Sequence, residues 1–371
     1  MHDETKAIHI PTGRVQGSVA PPIQLTTTFE HGPAGEHIHG FEYVRDNNPN
    51  VDDLQARLTA IEHADGAVAF ASGMAAAAAV LSRLSPGARI VFHKDLYFDV
   101  RSLAKKVLPN WGLDCESVDL SDAAEREQAF AKGADLVWFE TPSNPLLDIL
   151  DIEAISKEAK SCGASVLVDG TFATPVVQKP LDLGATYVLH SLTKYMGGHS
   201  DVQGGAIAFR GDSSIADGLA ETRRLTGGVL SPFNAWLVSR GLQTLHCRMD
   251  RHCANALAVA EAIESQEGVE RVRYPYLPSH PSYDTARRQM SMGGGMISFE
   301  MSGGKEAALK VASNVNLLVN ATSLGGVESL IEHRASVEGP KSTAPNGLLR
   351  VSIGLENPDD LIDDLCAALR M

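Results

Sequence analysis

The distribution of apolar and polar residues divides the chain into three stretches. Residues 1–50 show little periodicity and are rich in Pro, Gly, Thr and Asn, which predicts an extended arm with turns at Pro21-Pro22 and Asn47-Asn48-Pro49. From about residue 52 to 230, short apolar runs alternate with helix-like segments, and after Ser231-Pro232-Phe233 the pattern is mixed. The sequence predicts an N-terminal arm (1–51), a large domain (52–230) and a C-terminal domain (231–371).

The apolar runs of the second stretch predict strands. These are Ala67–Phe70, Ala88–Phe92, Leu113–Val118, Asp135–Phe139, Ser165–Val168 and Tyr187–His190, with helices predicted at Met74–Leu84, Asp99–Leu108 and Asp122–Ala131. Continuous apolar runs that alternate with helices favour a mostly parallel sheet covered on both faces. The fold class is therefore α/β.

The third stretch predicts a smaller α/β domain. Its predicted strands are Val269–Tyr274, Met296–Met301 and Leu348–Ile353, and its predicted helices are a segment with Trp236, Leu237, Leu242 and Leu245, then His252–Gln266, Lys305–Val315 and Asp359–Leu369. The arm needs a surface to lie on, either its own chain or a neighbouring subunit.

Composition narrows the function classes. The 371 residues carry 32 basic and 46 acidic side chains, a net charge of −14, which argues against a nucleic-acid partner. Five scattered cysteines without a CxxC pair predict reduced thiols and no metal site. The sequence has no apolar run of membrane-spanning length and no signal-peptide pattern, so we expect no membrane partner and a cytoplasmic location.

The most informative segment surrounds Lys194. It follows the apolar run Tyr187–His190, is flanked by the hydroxyls of Ser191 and Thr193, and is followed by Gly197-Gly198. A desolvated lysine has a lowered pKa and forms a Schiff base with an aldehyde, while the hydroxyls suit a phosphate. Aldehyde and phosphate together indicate pyridoxal 5'-phosphate (PLP).

Other polar residues follow predicted strands, where ligands bind in such sheets. Asp169 ends one strand, either as a turn or N-cap residue or as the partner of a protonated pyridine nitrogen. Ser72, Gly73 and Met74 begin a helix whose amides suit a phosphate, although an ordinary strand–helix turn has the same pattern. Glu140 and Asn144 also follow a strand.

Four further side chains are candidates. Tyr97 follows a strand and is either structural or able to stack on a pyridine ring and donate a proton. Tyr43 and Arg45, in the arm, are surface residues unless they meet a phosphate. Arg350 lies within an apolar strand, so it needs an anion: either a structural acid or the carboxylate of a substrate.

Together these segments resemble the cystathionine γ-synthase/γ-lyase family of PLP enzymes, of the Cys/Met-metabolism group. The similarity covers nearly the whole chain; it is carried by Pro21–Ile23, Thr26–Phe29, Ala71–Ala75, Glu140–Pro145, Val168–Pro175, His190–Gly198, Ser231–Phe233, Leu277–Pro281 and Ser323–Ile331. The resemblance implies the fold type I (aspartate-aminotransferase-like) architecture and a homotetramer of two active-site dimers.

The resemblance also implies roles. Lys194 would be the Schiff-base lysine, Asp169 the partner of the pyridine nitrogen and Tyr97 the stacking residue and proton donor, with Asn144 near the phenolic oxygen of the ring. The implied phosphate site comprises Ser72, Gly73, Met74, Ser191 and Thr193, joined by Tyr43 and Arg45 acting on a neighbouring subunit, and Thr171 is a further cofactor-binding residue. The implied substrate site comprises Arg350, Asn144, Ser323 and, for a distal ammonium group, Glu328.

The implied activity is γ-elimination or γ-replacement on an amino acid such as cystathionine or an O-acyl-homoserine. Several residues depart from the family pattern, which leaves lyase or synthase and the leaving group open: Phe98-Asp99 replace a small pair, Gly170 replaces asparagine, Arg334 replaces proline, and Arg223-Arg224 are unusually basic. Methionine and canavanine are alternative substrates, a C–S β-lyase is an alternative reaction, and a PLP-binding regulator without turnover is a third hypothesis.

Overall fold

The computed structural model describes residues 1–9, 17–211 and 214–371. Within them, the first sheet has seven strands: β1 (Gly66–Phe70), β2 (Arg89–His93), β3 (Asp114–Val118), β4 (Leu136–Glu140), β5 (Ser165–Asp169), β6 (Tyr187–Ser191) and β7 (Gly205–Phe209). Their order is β1-β7-β6-β5-β4-β2-β3. Strands β3, β2, β4, β5 and β6 are parallel, and β7 runs antiparallel to both β6 and β1. The predicted mostly parallel sheet is confirmed.

Both faces of this sheet are buried. Along β4, Leu136 and Trp138 belong to one apolar cluster with helix α3 (Gly73–Leu81), whereas Val137 and Phe139 belong to another with α6 (Ile152–Ser161). Because successive side chains of a strand point to opposite faces, a strand covered on both sides is apolar at every position. This explains why these strands are continuous apolar runs.

The second sheet is smaller and mostly antiparallel. Its strands are β8 (Val269–Arg273), β9 (Met296–Met301), β10 (Val319–Asn320), β11 (Leu330–His333) and β12 (Leu348–Ser352), in the order β10-β11-β12-β9-β8. Helices α10 (Leu245–Glu264), α12 (Gly304–Asn314) and α14 (Pro358–Leu369) pack with it in one apolar cluster. A second, smaller α/β unit is therefore present, as predicted.

The remaining helices either precede the first strand or connect successive strands. They are α1 (Asp3–Ile8), α2 (Pro49–Ile61), α4 (Phe98–Lys106), α5 (Ala123–Ala131), α7 (Thr174–Val177), α8 (Ser214–Thr226), α9 (Pro232–Leu242), α11 (Tyr283–Gln289) and α13 (Arg334–Glu338), with 3-10 turns at Leu108–Trp111 and Gly339–Lys341. Within the described ranges, no helix is long and apolar enough to cross a membrane.

The structure corrects the prediction that the first fifty residues are extended with a turn at Asn47-Asn48-Pro49. A short helix covers Asp3–Ile8, and Asn48 is the N-cap of α2, accepting a hydrogen bond from the amide of Asn50 at 2.8 Å. Proline at the first helical position, after an asparagine cap, is a common helix start. The boundaries between arm, large domain and C-terminal domain stay predictions.

Candidate active site

Several polar side chains meet at one edge of the first sheet. Strands β4, β5 and β6 are parallel and end at Glu140, Asp169 and Ser191, and β1 runs in the same direction because both it and β6 are antiparallel to β7. In the register, Glu140 is opposite Asp169. A cavity of about 480 Å³ lies at the carboxyl ends of these strands. Arg350, from the second sheet, also lines it.

Most of the sequence-predicted site residues line this cavity. They are Ser72, Gly73, Met74, Tyr97, Asn144, Asp169, Thr171, Ser191, Thr193, Lys194, Ser323 and Arg350. The structure thus brings together groups that lie in, or follow, strands β1, β2, β4, β5, β6 and β12 and that are distant in sequence.

Lys194 is held inside the cavity wall. Its Nζ donates a hydrogen bond to Ser323 Oγ at 2.8 Å. Burial, together with the positive charge of Arg350, lowers the pKa of Lys194 to about 8. A neutral amine is a nucleophile and a base, so this lysine is prepared for both functions near neutral pH.

Asp169 is a buried carboxylate that needs a cation. Its Oδ1 accepts a hydrogen bond from the amide of Thr171 at 2.9 Å, and burial raises its pKa despite that bond. No described residue forms an ion pair with it. Thr171 in turn accepts a hydrogen bond from the amide of Ser191 at 2.9 Å, which ties the ends of β5 and β6 together.

A helix N-terminus faces the same edge. Ser72 caps α3 through its side chain, which accepts from the amide of Ala75 at 3.1 Å, while the first amides of the helix, Gly73 and Met74, have no intrahelical acceptor. A Cβ on Gly205 would collide with the Ser72 carbonyl, and one on Gly73 would lie 3.3 Å from Ser191 Cβ. Glycine at both positions therefore places the helix beside Ser191, which forms an anion cradle.

The hydroxyl of Thr193, by contrast, is already engaged. It donates to the Gly204 carbonyl at 3.3 Å and accepts from the Gly204 amide at 3.2 Å.

Tyr97 covers the cavity from the start of α4. Its hydroxyl donates to Asp99 Oδ2 at 2.8 Å, and its amide donates to Glu140 Oε2 at 3.1 Å. Burial and the Asp99 carboxylate raise the pKa of Tyr97 to about 12, so the phenol keeps its proton. Burial, reinforced by nearby Asp169, raises the pKa of Glu140 well above its usual range.

Arg350 is part of a buried network of charges. On adjacent strands, Arg350 is directly opposite Glu332, and the two form an ion pair. Glu332 also accepts from Arg334 at 2.7 Å, and Arg334 donates to Glu338 at 2.7 Å. Arg350 further donates to Asn144 Oδ1 at 2.9 Å. Burial lowers the pKa of Arg350 to about 10, although Glu332 opposes this shift.

The loop that carries Ser323 is pressed against the lysine segment. Ser323 has a φ of +86°, unusual for a residue with a side chain, and Gly325 has a φ of +78°. A Cβ on Gly325 would collide with the backbone of Tyr195. Strained backbone of this kind persists where the surroundings fix it, as at ligand sites.

Three of the predicted site residues lie outside the cavity lining. Tyr43 is exposed, and the Arg45 guanidinium lies 5.4 Å from its ring centroid and donates to the Arg224 carbonyl at 3.3 Å. Glu328 accepts a hydrogen bond from Ser200. Their proposed contacts, with a neighbouring subunit and with a distal ammonium group, stay predictions.

Sequence reasoning missed the acids of the arginine network. The sequence pattern assigns no role to Glu332 or Glu338, although Glu332 follows an apolar run as Asp169 does. The departures from the family pattern fall into two groups. Phe98, Asp99 and Arg334 line the cavity, whereas Gly170, Arg223 and Arg224 are not part of its lining, and Arg224 lies 3.5 Å from Asp46.

The side chains present fit PLP. A partly buried lysine with a lowered pKa suits the aldehyde, a buried carboxylate without a cation among the described residues suits the pyridine nitrogen, and a helix N-terminus beside Ser191 suits the phosphate. This arrangement on a mostly parallel sheet defines the class of PLP-dependent enzymes.

Comparison with known proteins identifies the family. Residues 4–370 match the model for Cys/Met metabolism PLP-dependent enzymes. The cystathionine gamma-synthase of Mycobacterium tuberculosis is 43% identical over 98% of this chain and 96% of its own length. The cystathionine beta-lyase of Lactococcus lactis is 42% identical over 99% of this chain and 98% of its own. The chain belongs to the Cys/Met metabolism family of PLP-dependent enzymes.

A solved structure agrees with this assignment. The cystathionine gamma synthase of Xanthomonas oryzae, in complex with aminoacrylate and cysteine, matches with a TM-score of 0.96 and 38% identity. The match covers all of this chain and 98% of that one. The expected fold class and the PLP dependence are confirmed.

Proposed function

We propose that this enzyme catalyses γ-elimination or γ-replacement on a γ-substituted L-amino acid, with cystathionine and O-acyl-homoserines as the leading substrates. The observation that carries the proposal is the position of Lys194 between Ser323 and the Arg350 network, in one cavity with Tyr97. A base, a carboxylate-binding arginine and a proton donor are thus on different walls of a single site.

Each group has a distinct task. Arg350, aligned by Asn144 and Glu332, binds the substrate carboxylate and so orients Cα toward Lys194. Lys194 takes the Cα proton, because its lowered pKa leaves part of it neutral at pH 7, and a Cβ proton must also leave before the γ-substituent can depart. Tyr97, protonated because its pKa is about 12, gives a proton to the departing γ-substituent. In the resting enzyme Lys194 would hold PLP through its aldehyde; once the substrate amine has taken that place, the cofactor would supply the electron sink for the carbanion and Lys194 would be free to act as the base.

The loop Ser323–Glu328 favours γ-chemistry over β-elimination. Gly325 packs against Lys194 and Tyr195. The loop resembles the γ-synthase/γ-lyase form of this family rather than the β-lyase form, which usually carries Trp and Tyr. The relatives include a gamma-synthase and a beta-lyase at nearly equal identity, so C–S β-lyase activity is the second candidate.

Specificity is proposed to depend on the three departures inside the cavity. Phe98 and Asp99 add bulk and charge beside Tyr97, and Arg334 adds a cation near Arg350. Methionine and canavanine therefore belong in the substrate panel, and a regulator without turnover is the least favoured alternative.

The assembly is proposed to be a cytoplasmic homotetramer. In the isolated chain, the arm exposes apolar side chains, among them Val19 at 84% and Leu25 at 67%. Apolar side chains clustered on an arm suit a neighbouring subunit as a covering surface, where Tyr43 and Arg45 would reach that subunit's phosphate site.

Product analysis tests the reaction. The PLP-loaded protein is incubated with L-cystathionine, O-acyl-homoserines with and without cysteine, methionine and canavanine, and products are identified by mass spectrometry. 2-Oxobutyrate from cystathionine without cysteine shows γ-lyase activity, and cystathionine from an acyl-homoserine plus cysteine shows synthase activity. Pyruvate with homocysteine from cystathionine shows β-elimination instead. A visible spectrum that amino acids perturb without product formation supports the regulator.

A further inference from the structure

Two buried arginines share one carboxylate at the active site. Arg350 and Arg334 both form an ion pair with Oε1 of Glu332, Arg334 at 2.7 Å. The other carboxylate oxygen of Glu332, Oε2, is enclosed and has no hydrogen-bond partner among the described residues. The two guanidinium groups therefore compete for a single oxygen, and the hold of Glu332 on Arg350 depends on Arg334.

Arg334 lines the cavity, but its donors are not available to a substrate. Nη1 donates to Glu332 and Nη2 donates to Glu338, each at 2.7 Å. Its Nε is enclosed and has no acceptor in the described part of the chain. Arg350 differs, because a guanidinium has more N–H donors than the three contacts that its Nη1 and Nη2 make. Donors thus remain on Arg350 for a substrate carboxylate.

The charge of Arg334 balances the group of side chains behind Arg350. Direct ion pairs join Arg334, Arg350, Glu332 and Glu338, which carry two positive and two negative charges. Without Arg334, two carboxylates would face one guanidinium, and Glu332 would be paired with Arg350 alone. Arg101 lies 3.7 Å from Glu338, so it compensates Glu338 but not Glu332. A substrate carboxylate at Arg350 would then be repelled by Glu332.

The electrostatic environment of Arg350 reflects both neighbours. Burial lowers the pKa of Arg350 to about 10, Glu332 opposes this shift, and Arg334 adds to it. Glu140 is a further acid near Arg350, but burial raises its pKa well above the usual range, which favours its neutral form. The charge that Arg334 has to offset at Arg350 is therefore mainly that of Glu332.

We propose that Arg334 is a positioning residue for the substrate carboxylate: by sharing Glu332, it keeps Arg350 free to bind that carboxylate. Arg334 acts on the substrate through Glu332, and its charge sets how strongly the site prefers an amino acid over an amine without a carboxylate. This inference rests on the proposed function, in which Arg350 binds the substrate carboxylate.

Calorimetry on the PLP-loaded protein tests this role, with glycine as the probe and methylamine as its match without a carboxylate. In the wild-type protein, glycine should bind at least about tenfold more tightly than methylamine, because only glycine pairs with Arg350. Arg334→Met should weaken glycine binding at least about tenfold and change methylamine binding by less than about threefold, because only the carboxylate meets the uncompensated charge of Glu332. Arg334→Lys keeps the charge and should retain the preference for glycine.

A second substitution tests the route through Glu332. When Glu332→Gln is added to Arg334→Met, the uncompensated carboxylate is removed, so glycine binding should return to within about threefold of wild type. Arg126→Met is the control, because that arginine pairs with Glu158 at 2.6 Å and neither residue lines the cavity. It should leave the binding of both amines unchanged. Thermal unfolding shows whether each variant is folded, and Arg334→Gln is a second neutral variant with the same expected loss.

Two outcomes overturn the proposal. One is glycine binding that the neutral variants Arg334→Met and Arg334→Gln leave unchanged. The other is glycine binding that does not return when Glu332→Gln is added, which would give Arg334 a role independent of Glu332. If the wild-type protein binds glycine no more tightly than methylamine, the role of Arg350 in the proposed function is wrong as well. Absence of turnover beside intact glycine selectivity concerns only the proposed reaction, since glycine has no γ-substituent.

Kinetics separate this role from a general structural one. Arg334→Met should raise the KM of the best substrate at least about tenfold and change kcat by less than about threefold, as expected when binding of the substrate carboxylate is lost in ground state and transition state alike. Addition of Glu332→Gln should lower that KM again. A fall in kcat with an unchanged KM would contradict the assignment of Arg334.

Discussion

The two sheets bring charged groups to the same cavity in different ways. The first sheet places Asp169 and Lys194 at or just beyond strand ends, where neither forms an ion pair with any residue that the structure describes. The second sheet places Arg350 and Glu332 in mid-sheet, directly opposite one another and already paired. The first set is therefore prepared to meet a cofactor, whereas the second is internally neutralised and sensitive to its neighbours.

The largest effect is expected from a substitution in the first group, Asp169 and Lys194. Lys194→Ala removes both the Schiff-base amine and the base, so kcat should fall by at least about 10³-fold, in the upper range for loss of an acid–base group. The measurement is product formation with the best substrate of the panel. Retention of near-wild-type turnover would contradict the assignment of Lys194.

A stability comparison separates the two sets. Glu332→Gln leaves Arg334 and Arg350 without their shared anion and should lower the free energy of unfolding by about 3–5 kcal/mol, as for other broken buried ion pairs. Asp169→Asn removes a buried carboxylate without a cation, so the cofactor-free protein should be equally or more stable. Urea unfolding of both variants at pH 7, without PLP, measures this difference. Equal losses would show that Asp169 is paired as Glu332 is.

The anion cradle depends on two close backbone approaches. Gly205→Ala places a methyl group against the Ser72 carbonyl and should displace the start of α3, which weakens PLP binding by at least about tenfold, the effect of 1.4 kcal/mol. Equilibrium dialysis against PLP measures the change. Gly163→Ala is a control, because no atom lies within 4 Å of the new methyl, and its own left-handed φ costs stability without reaching the cradle.

The smallest expected effect is a change in the pKa of Lys194, which tests whether Arg350 of the second sheet acts on it electrostatically. Burial is the main cause of the lowered pKa of Lys194, and the positive charge of Arg350 adds to it. In cofactor-free protein the rate of amine modification at Lys194 should rise with pH through an apparent pKa near 8. Arg350→Met should raise that pKa, since it removes a repelling cation. Peptide mass spectrometry after reductive methylation follows the site, and an unchanged pKa would show that Arg350 has no electrostatic influence on the lysine.

Sequence reasoning recovered most of the first sheet because its strands are local apolar runs. It missed β7, whose residues Gly205–Phe209 include two small side chains, and it missed β11, a short strand within a loop-like segment. It also treated Asn48-Pro49 as a turn in an extended arm, although an asparagine before a proline equally marks a helix start.

The sequence by itself determined the apolar strands, the α/β class and the residues at the strand ends, including Lys194 and Asp169. These follow from local patterns, since a polar residue that ends a buried apolar run lies at the end of its strand. Only the tertiary structure decided that Glu332 is opposite Arg350 and that Arg334 and Glu338 extend the network. Such pairings join segments that are distant along the chain, so they depend on strand register and packing rather than on local sequence.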